Sequence, residues 1–132
     1  MRHLRKPFAI LALNTNDIIK EHKILNECGL KFHQVWGKYN GKEETAYAID
    51  VSEDGTPQEN ELLKKAVKQL AIWHLQESIL FVRNDNSCYL WFRDGRVDKE
   101  LGNWREVDEL TATRENGYTL DPTTHRYYVT SR

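Results

Sequence analysis

A chain of 132 residues can bury one sizeable core and is too short for two. Its 39% hydrophobic and 30% charged content is that of a folded globular domain rather than a disordered one. A net charge of −1 argues against a nucleic-acid partner, and no apolar run approaches a membrane-spanning length.

The opening "MRHLRKPFAILALNTND" joins basic residues to an apolar run, the outline of a signal peptide. "FAILAL" is only six residues, however, and no small-residue cleavage site follows. The expectation is a first strand, Phe8 to Leu13, in a cytoplasmic protein, with Asn14 to Asn16 turning out of it. Asn16 or Asp17 then caps a helix through Ile18, Ile19, Ile24 and Leu25, which Gly29 ends. "LKFHQVWGKY" reads as a second strand and "TAYAIDV" as a third. Between them "NGK" marks a hairpin, because Asn-Gly tolerates the positive φ of tight turns.

A second helix has the clearest signature. Thr56 stands at the N-cap, Pro57 at the first helical position and Glu59 three after the cap. Leu62, Leu63, Ala66, Val67, Leu70 and Trp73 follow at helical spacing. "SILFV" is a fourth strand, and "CYLWF", after the turn "NDNS", a fifth. "NWREV", "GYTL" and "RYYV" are three short strand-like pieces in the tail. The order β-α-β-β-α-β plus extra strands predicts an α+β domain over 1–132. Its ferredoxin-like core (about 7–93) is an antiparallel sheet with two helices on one face, and a strand extension covers about 94–132. Both faces of the fifth strand are apolar or aromatic, Leu90 and Phe92 alternating with Tyr89 and Trp91. The face without helices must then meet another subunit or the C-terminal strands, so an oligomer is expected.

Most catalytic motifs are missing. His3, His22, His33, His74 and His125 have no metal-ligand spacing, and Cys28 and Cys88 have no CxxC neighbour, so no metal is expected. The two cysteines read as buried or semi-buried free thiols. There is no GxSxG elbow, P-loop or GxGxxG, and "TAYAIDV" lacks the aromatic and basic pattern of an RNA-binding strand. What remains are polar residues at strand ends: Asn14, Tyr39, Glu43, Glu44 and Gln76. Their ordinary reading is solvated surface charge, with Gln76 capping the helix before it.

Taken in order, "WHLQESILFV", "CYLWFRDG", "GNWREV" and "GYTLDPTTHRYYV" resemble the C-terminal half of the bacteriophage S-adenosylmethionine lyases, formerly called hydrolases, over roughly Leu70 to Val129. The family also has a Tyr before strand three and a Glu-Glu pair opening that strand. Tyr39 and the pair Glu43-Glu44 fall in those places, and Gln76 falls at the family's active-site Gln. The loop after Tyr39 is shorter than the family's, and "SEDGTPQEN" is longer. The architecture is also similar to that of PII-like trimeric proteins.

The resemblance implies an enzyme without a cofactor, a homotrimer with sites between subunits. It would split S-adenosylmethionine into methylthioadenosine and homoserine lactone and so counter host methylation or restriction. In that chemistry the substrate's own carboxylate attacks its γ-carbon and opposite charges cancel, so a dry site helps. A carboxylate against the sulfonium would stabilise the ground state more than the transition state. Glu44 or Glu43 is therefore assigned to the ammonium or the ribose hydroxyls, Gln76 to the carboxylate or adenine edge, and Tyr39 or Trp36 to stacking on adenine, with Asn14 as a further binding residue. Glu44 is preferred, since it alternates with Ala46 and Ala48, whereas Glu43 shares a face with Tyr47 and Ile49. The alternatives are a non-catalytic PII-like nucleotide-binding protein and a phage protein that inhibits a host enzyme by contact.

Overall fold

The computed structural model describes residues 6–39, 42–51, 57–115 and 117–131. In chain order their elements are β1 (Phe8–Leu11), α1 (Ile18–Glu27), β2 (Phe32–Tyr39), β3 (Lys42–Asp50), α2 (Pro57–Trp73), β4 (Ser78–Val82), β5 (Ser87–Phe92), β6 (Lys99–Val107), α3 (Glu109–Arg114), β7 (Tyr118–Asp121) and β8 (Arg126–Ser131). The sheet is a closed barrel in the order β1-β3-β2-β7-β8-β6-β5-β4, with β4 returning to β1, and every pairing is antiparallel.

This overturns the expected ferredoxin-like or PII-like α+β sheet. The first six elements do run β-α-β-β-α-β, but their sheet does not stop at β2 and β4. β7 pairs with the free side of β2 and β5 with that of β4, and β6 and β8 complete the wall. The physical reason is that two open edges would each leave a row of N–H and C=O groups unpaired, and closure removes both. The bare apolar face also gains a cover: it becomes the inside of the barrel. β7 is the most lightly attached strand, with three paired positions on each side.

Alternation along the strands separates two cores. Outward residues Ala9, Leu11, Tyr47, Ile49, Ile79 and Phe81 pack with Leu25 of α1 and Val67, Leu70 and Ala71 of α2. Inward residues Phe8, Ile10, Val35, Ala48, Leu80 and Val82 pack with Cys88 and Trp104, and no helix contributes to that cluster. Eight strands leave a lumen that side chains can fill or that can hold one small ligand. In β6 the register slips by one residue where Cys88 faces Gly102 and Tyr89 faces Glu100. This bulge, with Gly102 at φ +93°, leaves Leu101 among the partly buried residues of the inner core.

Several local expectations need correction. β1 ends at Leu11 rather than Leu13. Of the two expected cap candidates it is Asp17 that caps α1, its side chain accepting from the Lys20 N–H at 3.1 Å. The Thr56 cap lies outside the described residues. In α2 the buried stripe is Val67, Leu70 and Ala71, flanked by Leu63 and Ala66. Leu62 and Trp73 are 64% and 67% exposed, because helical periodicity carries them to its flank. Cys28 is exposed and only Cys88 is buried. α3 was not expected; Asp108 caps it by accepting from the Thr111 N–H at 2.7 Å, and it packs on β8.

One buried carboxylate ties α1 to the sheet. Glu21 is 4% exposed and accepts from the Tyr47 hydroxyl at 2.8 Å, the Thr15 hydroxyl at 2.9 Å and the Thr15 N–H at 2.8 Å. Burial, and then the bond to Glu21, holds the Tyr47 phenol well above its ordinary value of 10. A folded pKa above the unfolded one adds stability that is complete below the unfolded value and lost as pH rises past it. Urea unfolding of Tyr47→Phe should show a loss of about 1–3 kcal/mol at neutral pH, because Glu21 loses a donor. Its stability should also decline less steeply than that of the wild type above about pH 10.

Candidate active site

The lumen opens at one end into a cavity of about 570 Å³, within the range of roughly 300–1,000 Å³ typical of small-molecule sites. Ile10, Ala12, Ala46, Leu80, Leu90 and Leu101 give its walls an apolar part, and Ser78, Thr119 and Thr130 a polar one. At its base Trp104 stacks on Tyr128, with centroids 5.2 Å apart and planes 12° apart. Phe8 meets Trp104 edge-on at 5.4 Å. Burial raises the Tyr128 phenol, so it stays neutral. The Cys88 thiol, pushed up to about 11 chiefly by burial, is packing material and not a nucleophile.

The mouth is acidic. Glu44, Glu77 and Glu115 line it, together with Gln76. Glu44 faces Gly37 on β2, and Gly37 faces Thr119 on β7. Gly37 puts no side chain between Glu44 and Thr119, which lie about 10 Å apart across three strands. Ala46, next on the same face of β3, keeps that wall thin.

Gln76 and Glu77 are placed by the way α2 ends. The Gln76 N–H donates to Ala71 O at 2.9 Å and the Leu75 N–H to Ile72 O at 3.2 Å, with Leu75 at φ +55°. This is the Schellman stop, built here on leucine where glycine is usual, and a left-handed leucine is strained by about 1–2 kcal/mol. The Gln76 side-chain amide donates to His74 O at 3.2 Å. The β5–β6 turn grips the same corner from outside: Arg93 Nε donates to Gln76 O at 3.1 Å, and the Glu77 carboxylate accepts from Arg96 at 3.0 Å.

Of the residues singled out from sequence, Glu44 and Gln76 meet at this mouth. Glu43 lies on the opposite face of β3, exposed and level with Lys38. Trp36 is 44% exposed on the outer side of β2, and Asn14 is exposed beyond the end of β1; neither lines the cavity. Tyr39 ends β2, and its side chain lies outside the described residues. Glu77, Glu115, Trp104 and Tyr128 were not anticipated. Glu77 adjoins Gln76 and Trp104 sits in "GNWREV", but only closure of the barrel brings them to the same space. Among the described residues no group of three His, Cys, Asp or Glu is placed to hold a metal ion, and no helix is long and apolar enough to cross a membrane.

A cavity lined by both apolar and polar groups, with the Trp104–Tyr128 pair and three glutamates, can take a small cation with a flat ring. Comparison with known families agrees. Residues 12–131, nearly the whole chain, match the S-adenosylmethionine lyase family. No curated protein matches. The chain belongs to that family and is an S-adenosylmethionine lyase, with S-adenosylmethionine as its small-molecule substrate.

Proposed function

We propose that the substrate is cleaved by its own carboxylate inside the barrel mouth, giving methylthioadenosine and homoserine lactone. A carboxylate oxygen bonds to the γ-carbon as the carbon–sulfur bond breaks, and the electron pair of that bond stays on sulfur. A sulfonium and a carboxylate thereby become a thioether and an ester. Water stabilises the charged reactants more than the charge-depleted transition state, so a dry chamber favours reaction. No protein nucleophile is needed; the chain must fold the methionine part into attack geometry.

The observation that carries this reading is the meeting of Glu44 and Gln76 at the rim of an apolar lumen. Glu44 holds the substrate ammonium or ribose hydroxyls, away from sulfur. Gln76, with both a donor and an acceptor, takes the carboxylate or the adenine edge. Adenine stacking, first assigned to Trp36 or Tyr39, fits the Trp104–Tyr128 pair better, because Trp36 points away from the cavity. In a phage-infected bacterium such an enzyme would remove the methyl donor and blunt methylation and restriction.

A homotrimer is part of the proposal on different grounds from those first given. The bare sheet face is enclosed, but Ile72, Trp73 and Leu75 stand 43%, 67% and 73% exposed just before Gln76. A second copy seated there would adjoin the mouth and help exclude water.

Purified protein should convert S-adenosylmethionine to methylthioadenosine, and in ¹⁸O-labelled water the four-carbon product should carry no label at its γ-oxygen. Label at that position would mean hydrolysis and defeat the intramolecular route. Glu44→Gln and Gln76→Ala should each lower kcat/KM about tenfold or more, a loss of about 1.4 kcal/mol per decade, with the urea midpoint unchanged. If both retain full activity, the site lies elsewhere. Light scattering should give three times the 15.6 kDa chain mass; a single-chain mass would end the trimer proposal and leave the reaction standing.

A further inference from the structure

The mouth carries three carboxylates, but they are not equivalent. Glu77 is paired with Arg96 at 3.0 Å. Among the described residues no ion pair reaches Glu44 or Glu115. Arg96 is itself held on three sides: Nε donates to Asp94 at 3.0 Å, Nη2 to Glu77, and the guanidinium lies 4.1 Å from the centre of the Phe92 ring. The Arg96 side chain is half exposed, but its planar fork suits two carboxylates at once and the Phe92 ring lies against its face. The same turn, Arg93 to Arg96, holds the backbone of Gln76 through Arg93 Nε.

We infer that Arg96 is a positioning residue that sets the charge of the mouth: by claiming Glu77 it leaves Glu44 and Glu115 as the carboxylates open to a cationic ligand. The inference rests on the reading of this cavity as the S-adenosylmethionine site. S-adenosylmethionine carries a sulfonium, an ammonium and one carboxylate, so its net charge is positive. Negative charge added at the mouth binds it more tightly. Where that charge reaches the sulfonium, it stabilises the ground state, whose charge the reaction consumes, and so gains nothing in rate. Arg96 keeps Glu77 from acting in this way.

The test is the steady-state kinetics of Arg96→Gln and Arg96→Lys at low and physiological salt, beside binding of neutral methylthioadenosine followed by tryptophan fluorescence. Arg96→Gln should lower KM for S-adenosylmethionine about two- to fivefold, the scale of an exposed ion pair, with kcat equal to or below wild type. The change should shrink as salt rises, methylthioadenosine affinity should hold, and Arg96→Lys should restore wild-type KM. A raised or unaltered KM, or an equal shift in methylthioadenosine affinity, means that Arg96 only braces the turn and overturns the inference. If the wild-type chain does not turn over S-adenosylmethionine at all, it is the reading of the cavity that fails, a result separate from any difference between variants.

Discussion

Closure of the eight-strand sheet is the constraint from which the other features follow. A strand in an open sheet needs one partner on its edge and one cover on its face. In this chain β2 and β4 would lack the first, and their inner faces the second. The segment from β5 to β8 supplies both at once, pairing with the edges and walling in the lumen. Two apolar clusters result, one shared with α1 and α2 and the other enclosed by strands alone. The second is incompletely filled where Ala12 and Ala46 are small, and the unfilled part is the cavity.

In the proposed reading the chemistry depends on a contrast within that lumen. Phe8, Trp104 and Tyr128 bring aromatic rings together in the inner core, and Glu44, Glu77 and Glu115 line the cavity. A cation drawn to such a mouth loses water as it enters, and each interaction it makes there is stronger than in solvent. For a reaction that cancels two charges, loss of water is the main contribution required of the protein, with orientation second. In the proposed reading the side chains at the rim are binding groups, and the Trp104–Tyr128 pair is a stacking surface for adenine.

Much of this was legible in the sequence, for identifiable reasons. The antiparallel pairing of β2 with β3 (the Asn40-Gly41 turn itself lies outside the described residues), the Asp17 region, the stripe through Leu63, Val67 and Leu70 and the strand "SILFV" follow local signals, and local signals survive folding. The alternation Glu44, Ala46, Ala48 separated the two adjacent glutamates correctly by face, because strand periodicity is strict. The barrel was not legible. A second apolar face reads the same whether another copy covers it or the chain's own tail does, and only long-range pairing such as Trp36 with Leu120 decides. Trp36 was singled out as an aromatic near the glutamates, yet the same alternation that favours Glu44 sends it outward. α3 went unseen because its six residues are too few for a periodic pattern.

β7 has a further consequence for how the molecule moves. Paired at three positions to each neighbour, it is the stave with the fewest backbone bonds, and it carries Thr119 in the cavity wall. Local opening follows the least-bonded segment. Because Thr119 also sits opposite Tyr128 of the aromatic pair, any loosening of this strand is felt in the wall of the cavity before it reaches α1 or α2.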